Sequence, residues 1–258
     1  MDYTYHCFDW DDNLLFMPTN IILFHKDTSE EIEISTGDFA KLRSFIATDH
    51  KFYLEEGKVT TKKTQDIRNF KNYVVIGDDT DSVINSFREF RDCEQRYFLT
   101  HLKEALKVSS FGPEWAKFIE ATNKYSVAKR VYIITARGHM AQTIYEGIKF
   151  LKEQGIIKNI IPRKNIFPVS NGKHNMKNSS TQDIKYKILK DIFSEANQVA
   201  KKEDIHHTVY FSDDDFHTFS HLKDKLCSLR NNTNYWKHIH IKLRFTGKKR
   251  IGSKMVTL

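Results

Sequence analysis

The chain has 258 residues, and its 40% hydrophobic and 13% aromatic content excludes a disordered or low-complexity protein. This length suits one sizeable core, or a main domain with a smaller insertion. The formal charge of +8 is concentrated in residues 237–258, which hold seven lysines or arginines and no acidic residue, so the rest of the chain is close to neutral.

Apolar patterning along the chain predicts strands that alternate with helices. The predicted strands, in chain order, cover 5–8, 20–26, 31–35, 73–76, 131–134, 165–169, 208–211 and 238–245. The predicted helices cover 36–48, 81–109, 113–124, 140–154 and 183–200. We expect the segments on either side of Asp27-Thr28-Ser29 to form a hairpin, and the last strand to close one edge of the sheet. The rest of 49–80 is not assigned. Strands alternating with helices predict a mainly parallel sheet that is covered on both faces.

Polar residues follow three of these predicted strands. Asp9-Trp10-Asp11 follows the first, Thr135 the strand at 131–134, and Asp213-Asp214 the strand at 208–211. Ligands of open parallel sheets bind beyond the carboxyl ends of the strands. We therefore expect these groups to form one site.

The same segments carry a resemblance to a known family. Residues 8–14, Phe-Asp-Trp-Asp-Asp-Asn-Leu, resemble the Asp-x-Asp signature of haloacid dehalogenase (HAD)-type phosphatases, and Ile133-Ile134-Thr135 resembles their second motif. Lys185 with Leu189 resembles the third motif, and Phe211-Ser212-Asp213-Asp214 resembles the fourth. All four occur in the family's order. The chain therefore resembles a HAD-like superfamily phosphatase with a large cap inserted between motifs I and II.

Four departures from the family pattern accompany this resemblance. Asn13 stands where Thr or Val is usual, and Asp12 and Ser212 replace Gly. Lys187 is an alternative to Lys185 as the lysine of the third motif. Both carboxylates of the first motif are retained, so we expect the chemistry to be retained.

The resemblance implies a fold and a division of the chain. The expected fold is α/β, a Rossmann-like three-layer core with a mainly parallel sheet plus an inserted, mostly helical cap. Residues 1–19 and 127–258 would form the core and residues 20–126 the cap, with a flap hairpin at 20–35. A large cap restricts access to the site. The expected substrates are small phosphorylated metabolites or nucleotides.

The resemblance also implies roles for individual residues. Asp9 would be the nucleophile that forms an aspartyl-phosphate, and Asp11 the general acid and base. Thr135 and Lys185 would bind the transferring phosphoryl group. Apart from the resemblance, Arg137 lies near the predicted site in the sequence, and we expect it to contact the substrate. The expected cofactor is Mg²⁺, because clustered carboxylates and a phosphate dianion repel each other. The expected metal-binding residues are Asp9, Asp11 through its carbonyl, Asp213 and Asp214.

Other interpretations of the same residues are less consistent with the sequence. An EF-hand loop beginning at Asp9 is excluded, because Leu14 stands where Gly is needed and Asn20 where a bidentate Glu is needed. Gly77-Asp78-Asp79 matches the fourth motif locally but precedes the second, so we interpret it as a turn in the cap. Trp10 is expected to pack in the core, and no specific role is assigned to His139 or His217.

Two further functions remain open. A nucleic-acid end-processing phosphatase would use the basic segment 237–254 to hold a polynucleotide backbone. A catalytically silent binding protein on the same scaffold is the second alternative, and retention of Asp9 and Asp11 argues against it. The sequence gives no oligomeric state.

The cysteines and the first residues of the chain predict a location. Cys7, Cys93 and Cys227 are widely spaced, so neither a disulfide framework nor a zinc site is expected, and a reducing cytoplasmic setting fits best. There is no basic stretch followed by an apolar one at the start, and no run of 18 apolar residues. We therefore expect neither secretion nor a membrane partner.

Overall fold

The computed structural model describes residues 3–77, 85–92, 97–171, 179–232, 237–247 and 254–257. The chain divides into two compact units, one formed by Met1–Met17 with Ala105–Leu258 and the other by Pro18–Glu104. Each unit contains one six-stranded sheet, so the protein is mixed α/β.

The described residues form twelve strands and seven α-helices. The strands are β1 (Tyr3–Phe8), β2 (Asn20–His25), β3 (Glu31–Ser35), β4 (Lys51–Glu55), β5 (Lys58–Thr60), β6 (Asp66–Asn69), β7 (Tyr73–Val74), β8 (Val131–Thr135), β9 (Ile166–Pro168), β10 (His207–Asp213), β11 (Ile239–Phe245) and β12 (Lys254–Thr257). The helices are α1 (Thr36–Leu42), α2 (Tyr97–Lys107), α3 (Trp115–Asn123), α4 (Tyr125–Ala128), α5 (Ala141–Glu153), α6 (Thr181–Glu203) and α7 (Phe216–Asn232).

The sheet of the first unit is mostly parallel. Its strand order is β12-β11-β10-β1-β8-β9, and β12 is its one antiparallel strand. The expectation that the strand at 238–245 closes an edge is wrong, because β11 lies between β10 and β12. The short edge strand β12 was not among the predicted strands.

Helix α6 covers part of this sheet and carries one residue of the candidate site. Its apolar side chains at three- and four-residue spacing, among them Ile188, Leu189 and Ile192, pack in one cluster with buried residues of β10 and β11. The helix begins after Ser180, whose hydroxyl accepts a hydrogen bond from the backbone nitrogen of Asp183. This packing fixes which face of α6 is turned toward the sheet.

The second unit is built on a mixed sheet with the order β6-β4-β5-β3-β2-β7. The predicted hairpin of β2 and β3 is confirmed, with Ile21 opposite Ile34. The expectation of a mostly helical segment at 20–126 is wrong. Of the helix predicted over 81–109, the described helical part is α2, whereas 85–92 holds only a 3₁₀ turn at Arg88–Phe90.

Strands β4 and β5 of the second unit were not predicted, but local sequence features explain why they form. Phe52, Leu54 and Val59 are buried on one face, as alternating strand residues are. Between them Glu56 and Gly57 both have positive φ, 49° and 78°, which closes the tight hairpin of β4 and β5. Because Glu-Gly is a weaker turn signal than Asn-Gly, the hairpin was not predicted.

The boundary between the units also differs from the expected division. Residues 105–126, which include α3 and the beginning of α4, belong to the first unit and not to the insertion. Asp78 and Asp79 lie outside the described residues, as does most of the polar segment 171–182. In the part of the chain that the structure describes, no helix is both long enough and apolar enough to cross a bilayer.

Candidate active site

Two acidic segments meet at the carboxyl edge of the mostly parallel sheet. Strands β1 and β10 are adjacent and parallel, with Phe8 opposite Ser212, and the backbone nitrogen of Asp9 donates to the carbonyl of Ser212 at 3.0 Å. The carboxylates of Asp9, Asp213 and Asp214 each offer an oxygen within 4.8 Å of the others. Residues about 200 positions apart are thus brought to the spacing of ligands that share one ion.

Lys185 lies between two of these carboxylates. Its Nζ donates to Oδ1 of Asp9 at 2.8 Å and to Oδ2 of Asp213 at 2.7 Å, and the residue is 2% exposed. Lys187 lies on the exposed part of α6. Of the two lysines considered from the sequence, Lys185 is therefore the one in the acidic cluster.

Arg137 is bound to Asp11. Its Nε donates to Oδ2 at 2.8 Å and its Nη2 to Oδ1 at 2.6 Å, a bidentate ion pair. The arginine side chain is completely buried. This guanidinium contacts a protein carboxylate, so its expected substrate contact stays a prediction.

Strand β8 brings Thr135 to the same edge of the sheet, because β8 pairs in parallel with β1. Thr135 is fully buried, and its hydroxyl accepts a hydrogen bond from the backbone nitrogen of Arg137 at 3.3 Å.

Trp10 is fully buried and packs edge-on against Phe118, which confirms the expected packing role. His139 is buried, whereas His217 is exposed on α7.

Burial and crowding change the ionisation of the cluster. Burial raises the pKa of Asp9 to about 8, with the Asp213 and Asp11 carboxylates adding to the rise and Lys185 opposing it. Burial and the neighbouring Asp9 carboxylate raise the pKa of Asp214 well above its usual value, and burial also raises that of Asp213. Burial alone would lower the pKa of Lys185, but the Asp213 and Asp9 carboxylates outweigh it and raise the pKa. One ammonium is thus too little positive charge for three carboxylates.

Charge counting gives the same result for the whole site. Four carboxylates, those of Asp9, Asp11, Asp213 and Asp214, surround the cations of Lys185 and Arg137. With all four carboxylates ionised, the difference of 4 − 2 leaves two negative charges. A hard divalent cation would balance them, and carboxylate oxygens are the ligands that Mg²⁺ prefers.

Asn13 and Thr246 join the segments of the site, a connection that was not predicted from the sequence. The Asn13 side chain is fully buried and bonds to residues of three segments, at Asp9, Ser212 and Thr246. A usable signal was present, because Thr246 directly follows β11, just as Asp9 follows β1. Applying the strand-end argument to the last long strand would have pointed to it.

The basic segment 237–254 is partly a strand. Residues 239–245 form β11 within the sheet, and Arg244 is paired at 2.7 Å with the buried carboxylate of Glu114. Residues 248–253 lie outside the described part of the chain.

Comparison of the chain with protein-family models, with curated proteins and with solved structures gave no match. The function is therefore inferred from the geometry of the site and from the sequence segments that form it.

Proposed function

We propose that the protein is a Mg²⁺-dependent phosphate monoester hydrolase that acts through an aspartyl-phosphate on Asp9. The observation that carries the proposal is the meeting of Asp9, Asp213 and Asp214 within 4.8 Å, with Lys185 bonded to two of them. This arrangement agrees with the resemblance of the four sequence segments to HAD-type phosphatases and with a Rossmann-like core. Residues 18–104 would then serve as the cap.

Each group has a definite part in the proposed reaction. Asp9 attacks phosphorus while the bond to the leaving oxygen breaks, and Asp11 donates a proton to that oxygen. Water then attacks the aspartyl-phosphate with Asp11 as the base, which releases phosphate and restores Asp9. Lys185 and the Thr135 hydroxyl stabilise the charge of the transferring phosphoryl group.

Asp9, Asp213 and Asp214 would hold the Mg²⁺ ion, together with the carbonyl of Asp11. When bound, Mg²⁺ neutralises the excess of two negative charges and lets a phosphate dianion approach. The raised pKa values of the three acids support this fit, because a site that lacks sufficient positive charge favours binding of a cation.

Small phosphorylated metabolites or nucleotides are the proposed substrates. The position of β11 within the sheet and the pairing of Arg244 with Glu114 favour them over a polynucleotide held by a free basic arm. The alternative, a nucleic-acid end-processing phosphatase, is tested with an end-phosphorylated oligonucleotide. It requires that the affinity of the protein for this oligonucleotide falls steeply as the salt concentration rises.

The function is tested by phosphate release from an aryl phosphate with and without Mg²⁺. Wild type should turn over only with the metal, and Asp9→Asn should lose turnover while remaining folded by circular dichroism. A matched control is Asp191→Asn, which changes an exposed aspartate on α6. Metal-independent turnover, or equal turnover by Asp9→Asn, would contradict the proposal, and a folded wild type inactive towards a broad panel of phosphate esters would favour a binding protein.

A further inference from the structure

We propose that Thr246 is a positioning residue for the metal site, which its hydroxyl holds together through the Asn13 side chain. The proposal rests on the proposed function, because it assigns to Thr246 an effect on Mg²⁺ affinity. Neither the family resemblance nor the motif residues include this position.

The Asn13 side chain bonds to three segments of the site. The Thr246 hydroxyl donates to Oδ1 of Asn13 at 2.8 Å. Nδ2 of Asn13 donates to the carbonyl of Asp9 at 3.0 Å and to the hydroxyl of Ser212 at 3.1 Å. One buried carboxamide therefore connects the segment that follows β1, the last part of β10 and the residue that follows β11.

The orientation of this carboxamide is determined by its partners. The carbonyl oxygens of Asp9 and Ser212, at 3.0 and 3.4 Å, can only accept, so the amino group of Asn13 must face them. Oδ1 then faces Thr246 and needs a donor, because Asn13 is fully buried and an unsatisfied buried acceptor is costly. The hydroxyl of Thr246 supplies that donor.

The backbone at 246–247 also holds the second acidic segment. The nitrogen of Thr246 donates to the carbonyl of Asp213 at 3.0 Å. A β-carbon at Gly247 would lie 2.4 Å from the carbonyl oxygen of Asp214, so only glycine permits this close approach. Residues 246 and 247 are therefore in contact with both segments that carry the acidic residues.

This arrangement resembles the outer hydrogen bonds that orient metal ligands in other sites. The hydroxyl contacts no carboxylate of the cluster, so its removal leaves the ligands present and changes how firmly they are held. Loss of such outer partners typically weakens metal affinity by about 10- to 100-fold.

The test measures Mg²⁺ binding to the full chain by isothermal titration calorimetry. Thr246→Val removes the hydroxyl at nearly constant shape and should weaken Mg²⁺ binding about tenfold or more. Thr246→Ser keeps the hydroxyl and should bind nearly as wild type does. Thr246→Ala removes the same hydroxyl without placing a methyl group against Oδ1, and it provides the measurement if the valine variant does not fold.

Thr122→Val is the matched control. Thr122 is likewise a buried threonine of the first unit, but its hydroxyl bonds only to backbone carbonyls of its own helix, at Phe118 and Ile119. This variant should keep wild-type Mg²⁺ affinity, even if its melting temperature falls.

The results separate this inference from the proposed function. If wild type binds Mg²⁺ and the Thr246 variants without a hydroxyl bind it equally well, the positioning role is overturned and the hydrolase proposal stands. Equal weakening by Thr122→Val would also overturn it, because the effect would then be one of general stability. A folded wild type that binds no Mg²⁺ overturns both.

Discussion

The guanidinium of Arg137 donates two hydrogen bonds to the carboxylate of Asp11, and the whole arginine side chain is buried. A planar fork of this kind fixes both the position and the orientation of a carboxylate, which a lysine ammonium cannot do. The pair lies beside the Asp9 cluster and sets where the proposed general acid and base points.

Replacement of Arg137 should therefore lower kcat more than it raises KM. We expect Arg137→Ala to lose about 100-fold or more in kcat, the usual size of a general acid–base contribution. The kcat of Arg137→Lys should lie between those of wild type and Arg137→Ala, because lysine keeps the positive charge but cannot form the bidentate pair. Added guanidinium should restore part of the activity of the alanine variant.

Steady-state kinetics on an aryl phosphate distinguish this role from substrate binding. Arg163→Ala serves as the control, since Arg163 is an exposed arginine bonded to Gln142 and should have no effect. A large rise in KM at unchanged kcat would show that Arg137 binds substrate, as the sequence predicted.

Asp214→Asn should stabilise the metal-free protein and weaken its binding of Mg²⁺. Burial and repulsion from Asp9 and Asp213 raise the pKa of Asp214, so its charge is unfavourable in the fold. We expect the melting temperature to rise by about 2–4 °C, the shift that about 1 kcal/mol produces at this chain length. Differential scanning fluorimetry with and without Mg²⁺ measures both effects. A metal-free variant less stable than wild type would contradict the prediction.

The raised pKa of Asp9 predicts how the stability of the metal-free protein depends on pH. Between its usual value of 3.8 and about 8, folded Asp9 holds a proton that the unfolded chain releases. Its contribution to stability is therefore fully present below 3.8 and is lost as the pH rises through about 8. Asp9→Asn should remove this loss.

Urea denaturation at several pH values between about 5 and 8 measures the effect as a difference between wild type and Asp9→Asn. Asp191→Asn is the control, because it removes a carboxylate that is exposed and lies outside the acidic cluster. Parallel curves for wild type and Asp9→Asn across this range would refute the assignment.

Gly57→Val should destabilise the hairpin of β4 and β5. Gly57 has a φ of 78°, and no atom lies within 4 Å of the position of an added β-carbon, so the cost comes from the backbone alone. We expect a loss of about 1–2 kcal/mol in unfolding free energy. Thr61→Val, at a neighbouring exposed position without a positive φ, is the control. Equal stabilities by circular dichroism in urea would argue against this turn.

The sequence predicted the parts of the site that follow from strand order. The apolar runs at 5–8, 131–134 and 208–211 each end in a polar residue, and parallel strands bring such ends to one edge. Asp9 and Asp213 could therefore be placed together without a structure. The choice between Lys185 and Lys187 depended on which face of α6 packs against the sheet, and the local pattern left it open.

Other features depend on long-range contacts that no local pattern encodes. The pairing of Arg137 with Asp11 and the bond from Thr246 to Asn13 join residues far apart in the chain. The strands of the second unit are short, and β6 is largely exposed, so their apolar alternation was weak. Thr246 is the exception in part, because it directly follows β11 and the strand-end pattern therefore marks its position, though not its bond to Asn13.

The most direct test of the account is to look for the covalent phosphate on Asp9. Asp11→Asn should lack the base that activates water, so after exposure to a radiolabelled phosphate ester it should accumulate label that is sensitive to hydroxylamine. The double variant with Asp9→Asn should carry none. Label that persists without the Asp9 carboxylate, or a catalytically active wild type whose Asp11→Asn variant never acquires label on residue 9, would contradict the proposed mechanism.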